Sequence, residues 1–323
     1  MRTKVFIKNK LRKETEFQFF MHQFVEAGIR KGVTPMKEVN ADSGLHKVLR
    51  KVCYHLPMPP FQRKKALIIT ALGGNVSYSA YPYYNYEIIP MIWDVWPFTW
   101  DLLYHDIRQL KCKMVFVTAK QIAEKIERDL GIKAIWIPEG IDIKDYKKGE
   151  PLMNRNIDVY EMGRQYDRYH TAVMNLLHNG VIKEYRGNIN HEDGSFTLAF
   201  ETAQDLLDAL SHIKVITCFP QCDTHPQRAG NVETLTQRYW EAMLSGCLIV
   251  GRAPQELIDL IGYNPVIDID WNESEKQLEN ILKNIADYQD LVDRNYEAAQ
   301  KYASWDNRWD GIVEILRQNG YMR

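Results

Sequence analysis

The chain reads as an α/β protein with two doubly wound domains, each on a parallel sheet, and three observations predict this. Its 323 residues exceed the roughly 100–200 of one compact domain. From Ala66 onward, apolar β-rich runs alternate with helical patterns, and such alternation with short loops requires right-handed crossovers between parallel strands. A polar stretch, Asp142 to Asn156, containing Lys147-Lys-Gly-Glu-Pro151, interrupts the alternation and places the boundary near residue 150, giving domains 1–150 and 151–323.

In the first domain the expected strands are Ala66–Thr70, Glu87–Trp93, Lys113–Val117 and Ala134–Ile137, because each is a short apolar, β-branched or aromatic run bounded by polar or glycine residues. Ala119–Leu130 has helical periodicity and stops at Gly131, a suitable C-cap. Before Ala66 the pattern is weaker. Met1–Ile7 reads as a strand, and Glu14–Ala27 as a helix whose Phe17, Phe20, Met21 and Phe24 lie on one face and pack into a core. In the second domain the expected strands are Ile157–Tyr160, Lys183–Tyr185, Val215–Phe219, Cys247–Val250 and Pro265–Ile269. Helices are expected at Tyr169–His178, Ala203–Leu210, up to Gly246, and at Pro254–Ile261, with Glu275–Tyr302 and Trp309–Gln318 closing the chain and able to pack back on the first domain.

Composition narrows the class. With 45% hydrophobic and 26% charged residues the chain is neither disordered nor fibrous. The longest apolar runs fall far short of the ~18–20 residues that cross a bilayer, and the first residues lack the features of a secretion signal. The five cysteines are scattered without CxxC pairs, so they read as reduced thiols of a cytoplasmic protein, and no metal is expected despite the closeness of Cys218, Cys222 and His225. Net charge is −1, yet residues 1–70 hold 15 Lys/Arg against 5 Asp/Glu. Such a basic region attracts an anionic membrane surface or a lipid-linked diphosphate. It can equally attract a nucleic acid, though no nucleic-acid partner is expected, and because its charges are spread rather than clustered a solvated surface is the plain alternative.

The chemistry concentrates in Asp223-Thr-His-Pro-Gln-Arg-Ala-Gly-Asn-Val-Glu233, continuing through Glu241 to Gly251. A polar loop leads into a helix after a parallel strand, where open α/β sheets hold ligands and where free amides meet anions. If both Glu233 and Glu241 are helical they stand roughly 12 Å apart along the axis, so they serve different parts of a ligand. Read alone, two glutamates at this spacing are more often surface charges.

The stretch Glu233-x7-Glu241-Ala242-Met243-Leu-Ser-Gly246, with Leu257-Ile258 after it, resembles the donor-binding half of glycosyltransferase family 4. Trp136-Ile-Pro-Glu-Gly140-Ile-Asp142 is similar to that family's Pro-Asn-Gly-Val-Asp segment, and Asp158-Val-Tyr-Glu-Met-Gly163-Arg164 to the strand and Gly-Arg turn that opens its second domain. The resemblance implies the GT-B fold, two Rossmann-like domains facing a cleft. It also implies retaining transfer from a UDP- or GDP-sugar to a carbohydrate or lipid-linked acceptor, with no cofactor or metal.

By the same resemblance Glu233 lies near the transferred sugar, Glu241 at the ribose, and Gly163, Arg164 and Arg168 at the diphosphate, Arg168 standing for the family's lysine. Thr234, Leu235 and Thr236 replace the family's Gly-Phe-Gly and would present amides to the phosphates. Gly73 and Gly74 resemble the glycine loop of the first domain that faces the donor diphosphate. Asp94 remains from a His-Asp pair whose histidine is Trp93 here. His225 and Arg228, in the polar loop, would touch phosphate or acceptor. Tyr78, Tyr81, Tyr83, Tyr84, Tyr86, Trp93, Trp96 and Trp100 form either a sugar- or lipid-binding wall or core. A sugar-nucleotide epimerase, a sugar phosphorylase and a non-catalytic scaffold are the rival readings of the same fold.

Overall fold

The computed structural model describes residues 4–8, 20–37, 39, 44–55, 65–191 and 196–322. Two compact units account for the chain. One is Met1–Gly140 with Arg228–Val232 and Trp305–Arg323, and the other is Ile141–Gln227 with Glu233–Ser304.

In the first unit β1 (Lys4–Lys8), α1 (Phe20–Arg30), β2 (Thr34–Pro35), α2 (Gly44–His55), β3 (Lys65–Leu72), α3 (Val76–Ala80), β4 (Glu87–Trp93), α4 (Trp100–Leu110), β5 (Met114–Val117), α5 (Lys120–Leu130) and β6 (Lys133–Trp136) follow in order. The strands form one parallel sheet in the order β2-β1-β3-β4-β5-β6, which reverses direction between β1 and β3. β3 and β4 are buried almost throughout, which is why they read as unbroken apolar runs. The segments Glu14–Phe19 and Met1–Thr3 of the sequence reading lie outside the described residues. What is described of that helix, α1, buries Met21 and Phe24.

Phe24 of the expected stripe lies in the core, while Phe17 falls outside the described residues. Phe24 packs at 5.6 Å from Trp93, 5.3 Å from Trp305 and 4.9 Å from Trp309, ring centre to ring centre. Trp309 Nε1 donates to the Phe24 carbonyl, so its polar edge is satisfied in the dry interior. Full burial of each such ring contributes roughly 1.5–3 kcal/mol. Trp93, Trp96, Tyr81 and Tyr84 are all buried, so this half of the expected aromatic wall faces inward. α2, α3 and α4 have no counterpart in the sequence reading. The apolar positions of α4, Leu103, Ile107 and Leu110, make a narrow stripe beside an aromatic-rich run that masks it.

In the second unit the order is β7 (Ile157–Glu161), α6 (Asp167–His178), β8 (Tyr185–Gly187), β9 (Ile189–Asn190), β10 (Phe196–Thr197), α7 (Ala203–Leu210), β11 (Ile213–Cys218), α8 (Gln221–Thr224), α9 (Pro226–Ala229), α10 (Gln237–Leu244), β12 (Leu248–Gly251), α11 (Gln255–Ile261), β13 (Val266–Asp268), α12 (Ser274–Lys283) and α13 (Gln289–Tyr302). α9 ends inside the Arg228–Val232 segment that groups with the first unit, as does α14 (Trp305–Gln318). The parallel sheet runs β13-β12-β11-β7-β8 and reverses between β7 and β11.

The expected long helix from Glu275 to Tyr302 is two helices. Asn284 leaves the helical region at φ −113 and ψ 33, and a 3₁₀ turn, Ile285–Tyr288, re-aims the chain so that Ile285 is buried. The Ala-Met-Leu-Ser-Gly run has a packing reason. Ala242, Met243 and Leu244 are fully buried, and Gly246 closes α10 at φ +67 directly over Arg155. That buried arginine donates to the carbonyls of Glu150, Ile213 and Ser245 at 2.7, 2.8 and 3.1 Å and ties the segment before β7 to the sheet.

Candidate active site

In the second sheet strand order reverses between β7 and β11, and doubly wound sheets hold ligands at the carboxyl ends of the strands at such a point. The chain leaves β7 through Met162-Gly163-Arg164, and Gly163 sits at φ +75, a conformation that glycine adopts without strain. Arg238, on the first turn of α10, donates Nη1 to the Met162 carbonyl at 3.0 Å. It would lie 3.5 Å from a Cβ on Gly163, an ordinary contact, so the positive φ rather than crowding is what favours glycine there. Arg164 is half-buried on this turn. Two arginines thus converge at one strand end. The sequence reading missed Arg238, since an arginine inside a helix carries no pattern of its own.

Glu233 precedes α10 by four residues and is not helical, so the spacing of two helical turns to Glu241 does not describe the pair. Instead Glu233 is pinned from two sides. Arg252, one residue past β12, donates Nη1 to Glu233 Oε1 at 2.5 Å, and the Gln255 amide at the start of α11 donates to Oε2 at 2.9 Å. The same guanidinium grips both oxygens of Asp223, at 2.6 and 2.8 Å. The Asp223 and Glu233 carboxylates raise the Arg252 pKa further, opposed by partial burial, so it stays charged. The Arg252 amide bonds to the Cys218 carbonyl at 3.0 Å, extending the β11–β12 ladder one residue past β12.

Thr234 and Leu235 are buried, and the Leu235 amide donates to the Glu256 carboxylate. That amide is already engaged, so it does not stand open to a phosphate as the sequence reading expects. Thr236 heads α10, and among the described residues its buried hydroxyl has no hydrogen-bond partner. A hydroxyl buried without a partner is a poor structural element and a serviceable ligand contact.

Glu241 is buried on α10, where Tyr146 donates to its Oε1 at 3.0 Å. Burial pushes its carboxyl up to about 7, against the lowering effects of Tyr146 and Arg238. The folded state then holds a proton that the unfolded chain releases near pH 4.5. Its contribution to stability is fully present below that pH, falls as pH rises to about 7, and is gone above. Glu241→Gln should remove this slope, worth on the order of 2–3 kcal/mol, in denaturant titrations between pH 5 and 8; an unchanged slope would assign it to other groups.

Arg168 is exposed on α6. Its guanidinium stacks over Trp271 at 4.3 Å and donates to the Trp271 carbonyl at 3.3 Å. Buried Glu161, which ends β7, accepts from Tyr185 at 2.8 Å and pairs with His170 Nδ1 at 2.5 Å. Hydrogen bonding to Glu161 raises the His170 pKa above its usual range, and burial opposes this. The sequence reading took Glu161 only as part of a strand. His225 lies half-buried after α8 with Nδ1 3.0 Å from its neighbour Thr224 Oγ1.

In the first unit, Gly73 follows β3 and donates its amide to the Trp93 carbonyl at 2.9 Å. A Cβ there would stand 3.0 Å from Asp94 O, Val95 Cα and Thr99 Oγ1, so only glycine lets the two strand ends meet. Asp94 is exposed at φ +50, a left-handed conformation unusual for a residue with a side chain. Gly74 borders a cavity beside it. Arg228 is exposed on α9 and groups with this unit rather than with Glu233. Among the described residues no group of three or more His, Cys, Asp and Glu side chains is disposed to hold a metal ion.

No family model and no curated protein sequence matches the chain. Solved structures do. The sucrose-phosphate synthase of Thermosynechococcus elongatus is similar with a TM-score of 0.63 at 13% identity, covering 98% of this chain and 99% of its own. AviGT4, a glycosyltransferase involved in avilamycin A biosynthesis, matches with a TM-score of 0.57 at 12% identity and 98% coverage of both chains. The fold is GT-B. Anabaena HepE, solved with UDP, matches this GT-B chain with a TM-score of 0.57 at 11% identity, covering 98% of it and 100% of HepE. At such identities the likeness establishes the architecture and assigns no residue.

Proposed function

We propose that the chain is a glycosyltransferase that moves a sugar, with retention, from a UDP- or GDP-sugar to a carbohydrate or lipid-linked acceptor in polysaccharide or glycolipid assembly. The donor belongs to residues 151–323 and the acceptor to residues 1–150. The observation that carries this reading is the pinned carboxylate of Glu233, held by Arg252 and the Gln255 amide on a sheet whose reversal point carries the Gly163-Arg164 turn and Arg238.

In glycosyl transfer the anomeric carbon gains positive character while the leaving diphosphate gains negative charge. Arg164, the Thr236 hydroxyl and the amide dipoles opening α10 meet the leaving group, a prearranged electrostatic environment that needs no reorganisation during reaction. Glu233, immobilised by a charged fork, lies near the transferred sugar, and Glu241 near the ribose. Arg168 supports the diphosphate from its platform on Trp271.

The acceptor side carries a hint of membrane work. α2 exposes Leu45, Val48, Leu49 and Val52 at helical spacing, with Leu45 70% exposed, and it has basic residues but no acidic ones. No helix of the described residues is long and apolar enough to cross a membrane. A cytoplasmic protein docking on the anionic inner face of a membrane fits this helix.

A thermal-shift screen of UDP- and GDP-sugars tests the donor assignment. The right donor, at about a hundredfold over its Kd, should add roughly 2.7 kcal/mol and raise the unfolding midpoint by several degrees. Silence from every nucleotide sugar would favour a scaffold. Incubating the stabilising donor with and without acceptor sugars separates transfer from epimerisation.

A further inference from the structure

A cavity of about 300 Å³ opens in the first unit past the end of β3, between α2, α3 and α4. The volume suits a small ligand. One wall is the last turn and a half of α2, which supplies Arg50, Lys51 and His55. The opposite wall is the chain after β3, with Gly74, Asn75 and Ser77, and the floor is Asp106 of α4.

The lining is built to be rigid and positive. Asp106 is 1% exposed and accepts the Ser77 amide at 2.8 Å, which fixes the loop after β3. The Arg50 guanidinium stacks over the Tyr78 ring at 4.3 Å, which fixes the cation. Two permanent cations and a histidine thus face one carboxylate that already anchors the loop. Ser77 is 2% exposed, yet among the described residues its Oγ has no hydrogen-bond partner. A buried hydroxyl left open in a native fold calls for a ligand that completes it. Tyr84 donates its hydroxyl to the Ser77 carbonyl at 3.2 Å, so the serine backbone is held while its side chain is not.

We infer that this pocket holds a phosphate group and that the acceptor of the reaction is a phosphorylated molecule. Arg50 and Lys51 neutralise the anion, and the Ser77 hydroxyl and Asn75 complete its hydrogen bonds. The inference rests on the assignment of the first unit to the acceptor. The phosphate can be that of a free sugar phosphate or of a lipid headgroup, since the chemistry recognised is the same.

The experiment uses the full chain and two probes, glucose 6-phosphate and vesicles of phosphatidylglycerol in phosphatidylcholine, with glucose and pure phosphatidylcholine vesicles as blanks. Calorimetry reads the first and co-flotation the second. The expected result is binding of at least one phosphate probe over its blank, weakened about tenfold or more in Lys51→Ala and about fivefold in Ser77→Ala. Glucose 6-phosphate binding identifies the free source. Vesicle binding alone, with the same loss in both variants, identifies the lipid source. Loss in Lys51→Ala with none in Ser77→Ala means surface charge without a pocket and overturns the inference, as does binding of neither probe by the wild-type chain. Both variants are checked for an unchanged unfolding midpoint and an unchanged shift by the UDP- or GDP-sugar. If no nucleotide sugar shifts the wild-type chain while the phosphate probe binds, the transferase reading fails and the pocket stands.

Discussion

Arg164→Ala lowers nucleotide-sugar turnover by about 10²–10³-fold while the fold is kept, the loss typical of removing one preorganised donor from a developing anion. The residue leaves β7 at the reversal point of the sheet, on a turn that Gly163 makes possible and that Arg238 holds by the Met162 carbonyl. Because the turn is secured by backbone and by Arg238, truncating Arg164 takes away charge and leaves the scaffold in place. The loss should fall mainly on kcat, since the leaving group gains its extra charge only in the transition state. Steady-state kinetics beside circular dichroism decide it, and undiminished kcat/KM in a folded variant would remove Arg164 from the site.

Arg252→Ala is expected to cut turnover by about 10²-fold and to cost stability as well, roughly 1–2 kcal/mol. The figure sits below the 3–5 kcal/mol of a fully buried pair because the Arg252 side chain is 36% exposed. Without this fork, the carboxylates of Asp223 and Glu233 lose their shared cation, while Glu233 still accepts from the Gln255 amide. Arg252→Lys keeps the charge but cannot hold both carboxylates in one plane, so it should restore most of the stability and little of the turnover. That split is the discriminating readout. A purely structural arginine would recover both together, and a turnover unaffected by Arg252→Ala but abolished by Glu233→Gln would leave Glu233 positioned by other groups.

Much of the architecture was legible because it depends on local patterns. Runs such as Ile88–Ile92 and Val115–Val117 are buried on both faces, and a strand covered on both sides must be apolar throughout, so it announces itself in composition. Gly131 and Gly246 likewise mark helix ends through a backbone conformation other residues adopt reluctantly. The Glu233-x7-Glu241 run and the Gly163-Arg164 turn stood out as spacings; the turn follows β7, and Glu233, between α9 and α10, pairs with Arg252 just past β12.

What the sequence by itself determined was therefore the alternation, the two-sheet class and the loops where polar residues gather. Which groups meet was decided by tertiary structure. Arg252 holds Glu233 across 19 residues, Glu256 takes the Leu235 amide across 21, and Tyr146 reaches Glu241 across 95. The physical reason is that periodicity and propensity act over a turn or two of chain, whereas an ion pair or a buried hydroxyl depends on where distant strands end, and parallel crossovers bring those ends together only after the sheet has formed.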